Sequence, residues 1–234
     1  MEHGADIVVH STTKFLSGHG NAMGGAVVDS GKFDWMKNDK FPSLSQPEPA
    51  YHGLTFAETF GDLAYTIYGH AVGLRDLGPC MAPFNAFLTI TGIETLPLRM
   101  ERHCENGLKV AEFLESHPEV SWVSYAGLPT NPYKPLADRY LQGKGGSVFT
   151  FGLKGGYEAG VKVVERCQLL SHLANLGDVR SLILHPASTT HRQLTLEQRT
   201  AAGAGDEVIR LSIGIETAED IIADLKRALD SVPQ

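Results

Sequence analysis

The sequence predicts an α/β chain, and three observations carry that prediction. Ile7-Val8-Val9 is a short, continuous run of β-branched and apolar residues, the pattern of a buried strand, and residues 22–28 give a second short strand. Residues 56–116 then carry apolar side chains at helical intervals. From Val120 onward, four strand-like runs alternate with helical ones, which predicts a compact α+β domain from about residue 118 to the end. The first strand comes only a few residues into the chain, and a strand there needs neighbours to make a sheet.

The elements follow in order. Gly18-His19-Gly20-Asn21 makes a loop between the first two strands, and Asp29-Ser30-Gly31 a turn after the second. Residues 32–40 mix aromatic and charged side chains. Residues 41–50 hold three prolines, which keeps them out of a helix interior and leaves an irregular surface loop. Phe60, Leu63, Ala64, Ile67, Ala71 and Leu74 predict one helix over residues 56–77, ending near Gly78-Pro79. Residues 83–96 predict a second, with Gly92 as a point of close packing. Residues 98–116 predict a third, stopped by His117-Pro118. Beyond it, strands are expected over 120–125, 147–151, 181–184 and 208–213, and a turn at Asn131-Pro132-Tyr133. Helices are expected over 136–140, 157–173, 195–202 and 217–231. In the last of these Ile221, Ile222, Leu225 and Leu229 share one face. No internal repeat or low-complexity tract interrupts the pattern.

Composition narrows the function classes. With 234 residues, 42% hydrophobic and 20% charged, the chain reads as an ordinary globular protein able to bury a real core. Twenty basic against 27 acidic residues give a net charge of −7 without a basic cluster, which argues against nucleic-acid and anionic-membrane partners. Cys80, Cys104 and Cys167 are odd in number, widely spaced and outside any His motif. They are expected to be reduced core thiols of a cytoplasmic protein, not disulfides or zinc ligands. The opening Met1-Glu2-His3-Gly4 has no basic n-region and no apolar run reaches membrane length, so neither a signal peptide nor a spanning helix is expected.

Two stretches carry chemistry. After the first strand come Ser11-Thr12-Thr13-Lys14, and later Gly24-Gly25. A lysine held at the end of a buried strand is a candidate nucleophile, because loss of solvation favours the neutral amine. Neighbouring hydroxyls suit a phosphate, and paired glycines let a flat group approach the backbone. Together they suggest a Schiff-base site for a phosphorylated aldehyde, pyridoxal phosphate (PLP). On spacing alone the plainer reading is favoured: a solvated lysine after turn-forming hydroxyls. The second stretch is Asn175-Leu176-Gly177-Asp178, followed by Val208-Ile209-Arg210-Leu211-Ser212-Ile213-Gly214-Ile215-Glu216. Arg210 is an isolated cation in an apolar strand. Either it lies across the sheet, paired to a structural carboxylate such as Glu216, or its planar fork holds a substrate carboxylate. His185 and His191 lie on loop-like sequence with no acidic partner at ligand spacing, so structural hydrogen bonding is expected of both rather than metal binding.

A resemblance shifts the balance. Gly4 through Phe15, with Gly18-His19-Gly20 and Gly24-Gly25, resembles the cofactor-lysine segment of the Cys/Met-metabolism PLP enzymes. These have the aspartate-aminotransferase-like fold type I and include cystathionine synthases and lyases, methionine γ-lyase and the O-acetylhomoserine sulfhydrylases. The resemblance implies a chain covering the C-terminal part of a PLP fold type I large domain, residues 1–117, followed by an α+β C-terminal domain, residues 118–234. It implies that Lys14 is catalytic and binds PLP, with Ser11 and Thr13 on the phosphate. Arg210 then clamps the α-carboxylate of the amino-acid substrate beside Asn175, with Ser188, Thr189 and Thr190 candidates for lining the pocket. Asn175, the Leu-Gly-Asp after it, and the proline-rich stretch before Tyr51-His52-Gly53 resemble the sulfhydrylase branch.

The reaction so implied is γ-replacement on O-acetylhomoserine. Acetate leaves Cγ and sulfide or a thiol adds, giving homocysteine or methionine. Methionine γ-lyase or cystathionine γ-synthase/lyase chemistry on the same residues is the alternative, and a non-catalytic binding fragment is another. The family's phosphate loop, its ring-stacking aromatic, the aspartate that pairs with the ring nitrogen and the residues shared across its dimer lie upstream of the lysine. The chain is accordingly expected to work within a homo-oligomer of the longer protein and to be inactive alone.

Overall fold

The computed structural model describes residues 1–232. The chain is α/β, and by packing it forms two compact units. One holds residues 1–13 and 22–88; the other holds residues 14–21 and the chain from Thr89 onward.

In the first unit β1 (Ile7–Ser11) and β2 (Gly25–Asp29) form an antiparallel pair, with Val8 opposite Val28 and Ser11 opposite Gly25. The turn after β2 forms as expected, Asp29 Oδ1 accepting the Gly31 N–H at 3.0 Å. The expectation of a buried first strand is corrected. Val9 is 71% exposed and Val27 and Val28 are exposed as well. Among the described residues the two strands pair only with each other, and Ile7 and Val8 are half-buried while the next residues of the run are exposed.

The proline-rich stretch is also more ordered than a loop. It holds α1 (Pro42–Ser45) and a helical turn at Pro49–Tyr51, each with proline in its first turn, where the missing N–H has no partner to lose. The single helix expected over 56–77 is broken into α2 (Phe56–Phe60), α3 (Ala64–Tyr68) and a wider turn over Gly69–Asp76. The break falls at Gly61, whose φ of 51° and ψ of −121° no continuing α-helix adopts. Buried Phe56 meets Tyr51, Phe60 and Tyr68, while Trp35 stacks on Tyr65 at 5.6 Å.

After α4 (Pro83–Glu94) comes α5 (Leu96–Ser116), the longest helix of the described residues, close to the expected bounds. The second unit is built on five strands: β3 (Val120–Ser124), β4 (Val148–Leu153), β5 (Ser171–His172), β6 (Leu182–Leu184) and β7 (Val208–Ser212). Their order is β3-β4-β7-β6-β5, antiparallel throughout except for the parallel β5-β6 pair. The helices are α6 (Lys134–Leu141), α7 (Gly156–Arg166), α8 (Leu196–Ala201) and α9 (Ala218–Asp230). Val110 and Leu114 of α5 join Phe151, Leu211, Ile221 and Leu225 in a core excluded from solvent, and burial of such side chains is the main stabilising term.

The strand β5 replaces the end of the helix expected over 157–173. That helix stops at Arg166 because the Asp224 carboxylate on α9 accepts the N–H groups of Gln168, Leu169 and Leu170 at 2.8–3.1 Å, turning the chain away. The cysteines are free thiols. Cys80 is exposed rather than core, and Cys104 and Cys167 are half-buried, with burial pushing the Cys167 thiol up to about 12.

Candidate active site

Arg210 sits in β7, the central strand, opposite Thr150 of β4 and Leu184 of β6. Its guanidinium is half-buried and donates from Nη2 to the Asn175 carbonyl at 3.2 Å. Among the described residues no carboxylate lies within 4.0 Å of it. The pairing with Glu216 that a structural role would need is absent, because Glu216 is engaged elsewhere. Its two oxygens accept the Ser181 N–H at 2.7 Å and the Ser181 hydroxyl at 2.9 Å, fastening the end of the β7 segment to the start of β6.

Asn175 links this arginine to the lysine. Its side-chain Oδ1 accepts from Lys14 Nζ at 2.5 Å while its main-chain carbonyl serves Arg210. Lys14, Asn175 and Arg210, separated by up to 196 positions in the chain, are therefore held in one hydrogen-bonded series. The loop carrying Lys14 is anchored beside Asn175. The Lys14 carbonyl accepts the Gly18 N–H at 2.8 Å, and the Gly18 carbonyl accepts the Val179 N–H, also at 2.8 Å. Between them Gly177 donates its N–H to Ser212 Oγ at the end of β7, at 2.9 Å.

Ser11 and Thr13 belong to the hairpin unit. Ser11 is exposed at the end of β1. The Thr13 hydroxyl accepts the Gly24 N–H at 3.1 Å and reaches the Gly24 carbonyl at 3.4 Å, so it is already engaged. Of the paired glycines Gly25 is exposed, whereas Gly24 is closely packed. A Cβ on Gly24 would run into the Met81 thioether and meet Thr12 Oγ1 at 2.7 Å. His185 is fully buried and bonds Ser188 Oγ and the Asp206 carbonyl, both at 2.9 Å, the structural role expected; burial holds its pKa below the usual range. His191 lies 2.9 Å from Thr190 Oγ1. Ser188 and Thr189 turn their hydroxyls onto His185.

Sequence reasoning missed a polar stripe on the buried face of α5. Arg99, His103 and Asn106 fall at i, i+4 and i+7, and all three are buried. His103 Nδ1 donates to the Ile213 carbonyl at 2.7 Å, which leaves Nε2 buried without a partner. Its ring meets Phe15 edge-on at 5.4 Å, and burial holds its pKa below the usual range. Asn106 Nδ2 donates to the carbonyls of Gly214 and Glu216 at 3.0 and 2.7 Å. The signal was the spacing itself: polar residues in phase with Val110 and Leu114 on the inward face.

The sequence model of the family described as "Cys/Met metabolism PLP-dependent enzyme" matches residues 1–230. The chain belongs to that family. It is 50% identical over 226 residues to O-acetyl-L-homoserine sulfhydrylase 1 of Thermus thermophilus, covering 97% of this chain and 53% of the relative. It is 51% identical over 231 residues to the homocysteine synthase of Schizosaccharomyces pombe, covering 98% and 54%. A crystal structure of a Campylobacter jejuni protein described as a candidate O-acetylhomoserine (thiol)-lyase superposes with a TM-score of 0.92 at 42% identity, over 98% of this chain and 55% of that one. That structure contains N′-pyridoxyl-lysine-5′-monophosphate. The Cys/Met-metabolism chain thus has the fold of part of a PLP fold type I enzyme and spans about half the length of the curated relatives it matches.

The donor set suits the family's cofactor. Lys14 offers a half-buried amine whose hydrogen-bond partner is a neutral amide oxygen rather than a carboxylate, and Arg210 offers a guanidinium with no competing acid. An amine and a cation so held match an aldehyde and a carboxylate respectively.

Proposed function

We propose that the whole protein to which this chain belongs catalyses PLP-dependent γ-replacement on O-acetylhomoserine with sulfide or a thiol. The chain contributes the lysine and substrate-carboxylate side of the site. The observation that carries this reading is the series Lys14–Asn175–Arg210, which joins an amine to an acid-free guanidinium through one residue. The relatives' names supply the substrate.

PLP, when bound, supplies an aldehyde and a ring that accepts carbanion charge. The chain's own residues do the rest. Lys14 is the residue that would hold the aldehyde and would be released when the substrate amine binds. The freed Lys14 amine then removes the proton at Cα and moves protons at Cβ as general base and acid. Arg210 receives the α-carboxylate through its unused N–H groups, and Asn175 keeps the lysine and the carboxylate site in register. Ser11 and Thr13 are assigned to the phosphate, Thr13 by redirecting the hydroxyl that now bonds Gly24. Acetate departs from Cγ, and sulfide or a thiol takes its position. Residues 1–117 are read as the end of the cofactor-binding domain and 118–234 as the C-terminal domain of a cytoplasmic homo-oligomer. Residues 1–234 alone are expected to show no sulfhydrylase turnover, and turnover by the purified chain without added partner would contradict that.

The test is a visible spectrum of the purified chain with PLP, then borohydride reduction and peptide mapping. A new band with the reduced adduct on Lys14, absent in Lys14→Ala, is the expected result. Adducts scattered over surface lysines, or equal in Lys14→Ala, would overturn the reading.

A further inference from the structure

The Arg99 side chain rises from the first turn of α5 into a space where it is only 5% exposed. It has no carboxylate partner among the described residues; each of its bonds goes to a neutral oxygen. Nη1 donates to the Phe15 carbonyl at 2.9 Å, and Nη2 to the Leu16 carbonyl at 3.3 Å and the Gly92 carbonyl at 2.7 Å, while Nε donates to Thr95 Oγ1 at 3.2 Å. Burial of a cation is costly unless its donors are satisfied, and here two of the four satisfying oxygens are the carbonyls of the residues that follow Lys14. Burial also pulls the Arg99 pKa below its usual value.

The surroundings are shaped for this clamp. A Cβ on Gly18 would strike the Arg99 guanidinium, and a Cβ on Gly92 would strike the Ser17 carbonyl and sit 2.7 Å from that of Leu16. The two glycines let the lysine loop, the end of α4 and the guanidinium meet at contact distance. Gly18, at φ +75°, also donates its N–H to the Lys14 carbonyl at 2.8 Å. Lys14 is therefore followed by two peptide carbonyls that the Arg99 guanidinium of α5 grips.

We propose that Arg99 is a positioning residue: by chelating the carbonyls of Phe15 and Leu16 it holds the Lys14 loop in the conformation that presents the lysine amine to Asn175 and to the aldehyde. The aldehyde part of this rests on the function proposed above; the loop-holding part does not. Lysine cannot substitute fully, since one ammonium does not reproduce a fork spanning four oxygens.

The experiment compares the purified chain with Arg99→Met and Arg99→Lys. Amide exchange is read at Gly18 and Val179 against Phe151 and Leu211 of the sheet, and PLP titration is followed by borohydride trapping at Lys14. In Arg99→Met, exchange at Gly18 and Val179 is expected to quicken at least tenfold while the sheet amides keep their rates. The PLP concentration for half-trapping at Lys14 should rise at least tenfold, with Arg99→Lys between it and wild type. If Arg99→Met fails to fold, Arg99→Lys alone must show both changes. Loop exchange and Lys14 trapping within twofold of wild type in the folded variant would overturn the proposal. Absence of any adduct on Lys14 in the wild-type chain would defeat the cofactor reading, and the exchange comparison would then decide the role of Arg99 by itself.

Discussion

His103 and His185 lie at 0% exposure, each held through a ring nitrogen to a backbone carbonyl, and burial depresses both pKa values. The sign of the consequence is fixed. The unfolded chain takes up a proton on each imidazole as the pH falls below about 6.5, whereas the fold resists doing so. Their contribution is therefore fully present above that value and is lost as the pH falls from it toward the depressed folded values. Each histidine costs up to about 1.4 kcal/mol per pH unit within its window. Denaturant melts at pH 7.5 and 5.5 should show lower stability at the acid value, and His103→Asn, which can still donate to Ile213, should flatten that slope. Equal slopes in the two proteins would contradict it. Lys14, Asn175 and Arg210 were singled out through the resemblance of their motifs to the family's, since spacing alone favoured a solvated lysine, and the structure joins the three by hydrogen bonds. Arg99, His103 and Asn106 were not. A hydrophobic pattern assigns polar residues to solvent, and only the structure shows that the backbone carbonyls of residues 15, 16, 92, 213, 214 and 216 accept hydrogen bonds from them.

Among the elements, α7 and α8 end and begin for different reasons. The stop of α7 comes from Asp224, 4% exposed, whose carboxylate takes three backbone N–H groups and the Arg227 guanidinium. Asp224→Ala strands those N–H groups and should cost about 3 kcal/mol in an equilibrium melt; a loss under about 1 kcal/mol would mean that water replaces the carboxylate at little cost. The start of α8 is a capping box, with Thr195 and Gln198 each bonding the other's backbone, so Thr195→Ala should cost about 1 kcal/mol. Helix α8 was readable because its cap is local. The end of α7 was not, since its acceptor lies 54–56 residues away in sequence, and the two-residue strand β5 that follows is too short to show a period. Helix α5 came through with little change because a long amphipathic run with a proline near its start and another just past its end carries its own bounds.

At the scale of the whole molecule the two units differ in what protects them. The five-stranded sheet is backed by α5, α7 and α9, whereas among the described residues β1 and β2 pair only with each other and expose Val9, Val27 and Val28. Local opening follows burial, so amides of the β1–β2 pair should exchange at least a hundredfold faster than those of Phe151 and Leu211; matched rates would imply that something covers the hairpin in solution. The strand-like sequence there was read correctly, but its burial depends on neighbours that a local pattern cannot supply. The sheet order has a further consequence. Its middle strand, β7, is the last to be reached along the chain, and both β4 and β6 wait for it. A nascent polypeptide leaving the ribosome can close β3 on β4, but it must keep β6 unpaired on that side until Ser212 has emerged. Such late, long-range closure is slow and leaves strand edges open meanwhile. Arg210 arrives with that strand, so the hydrogen-bonded series Lys14–Asn175–Arg210 closes in the same step that completes the sheet.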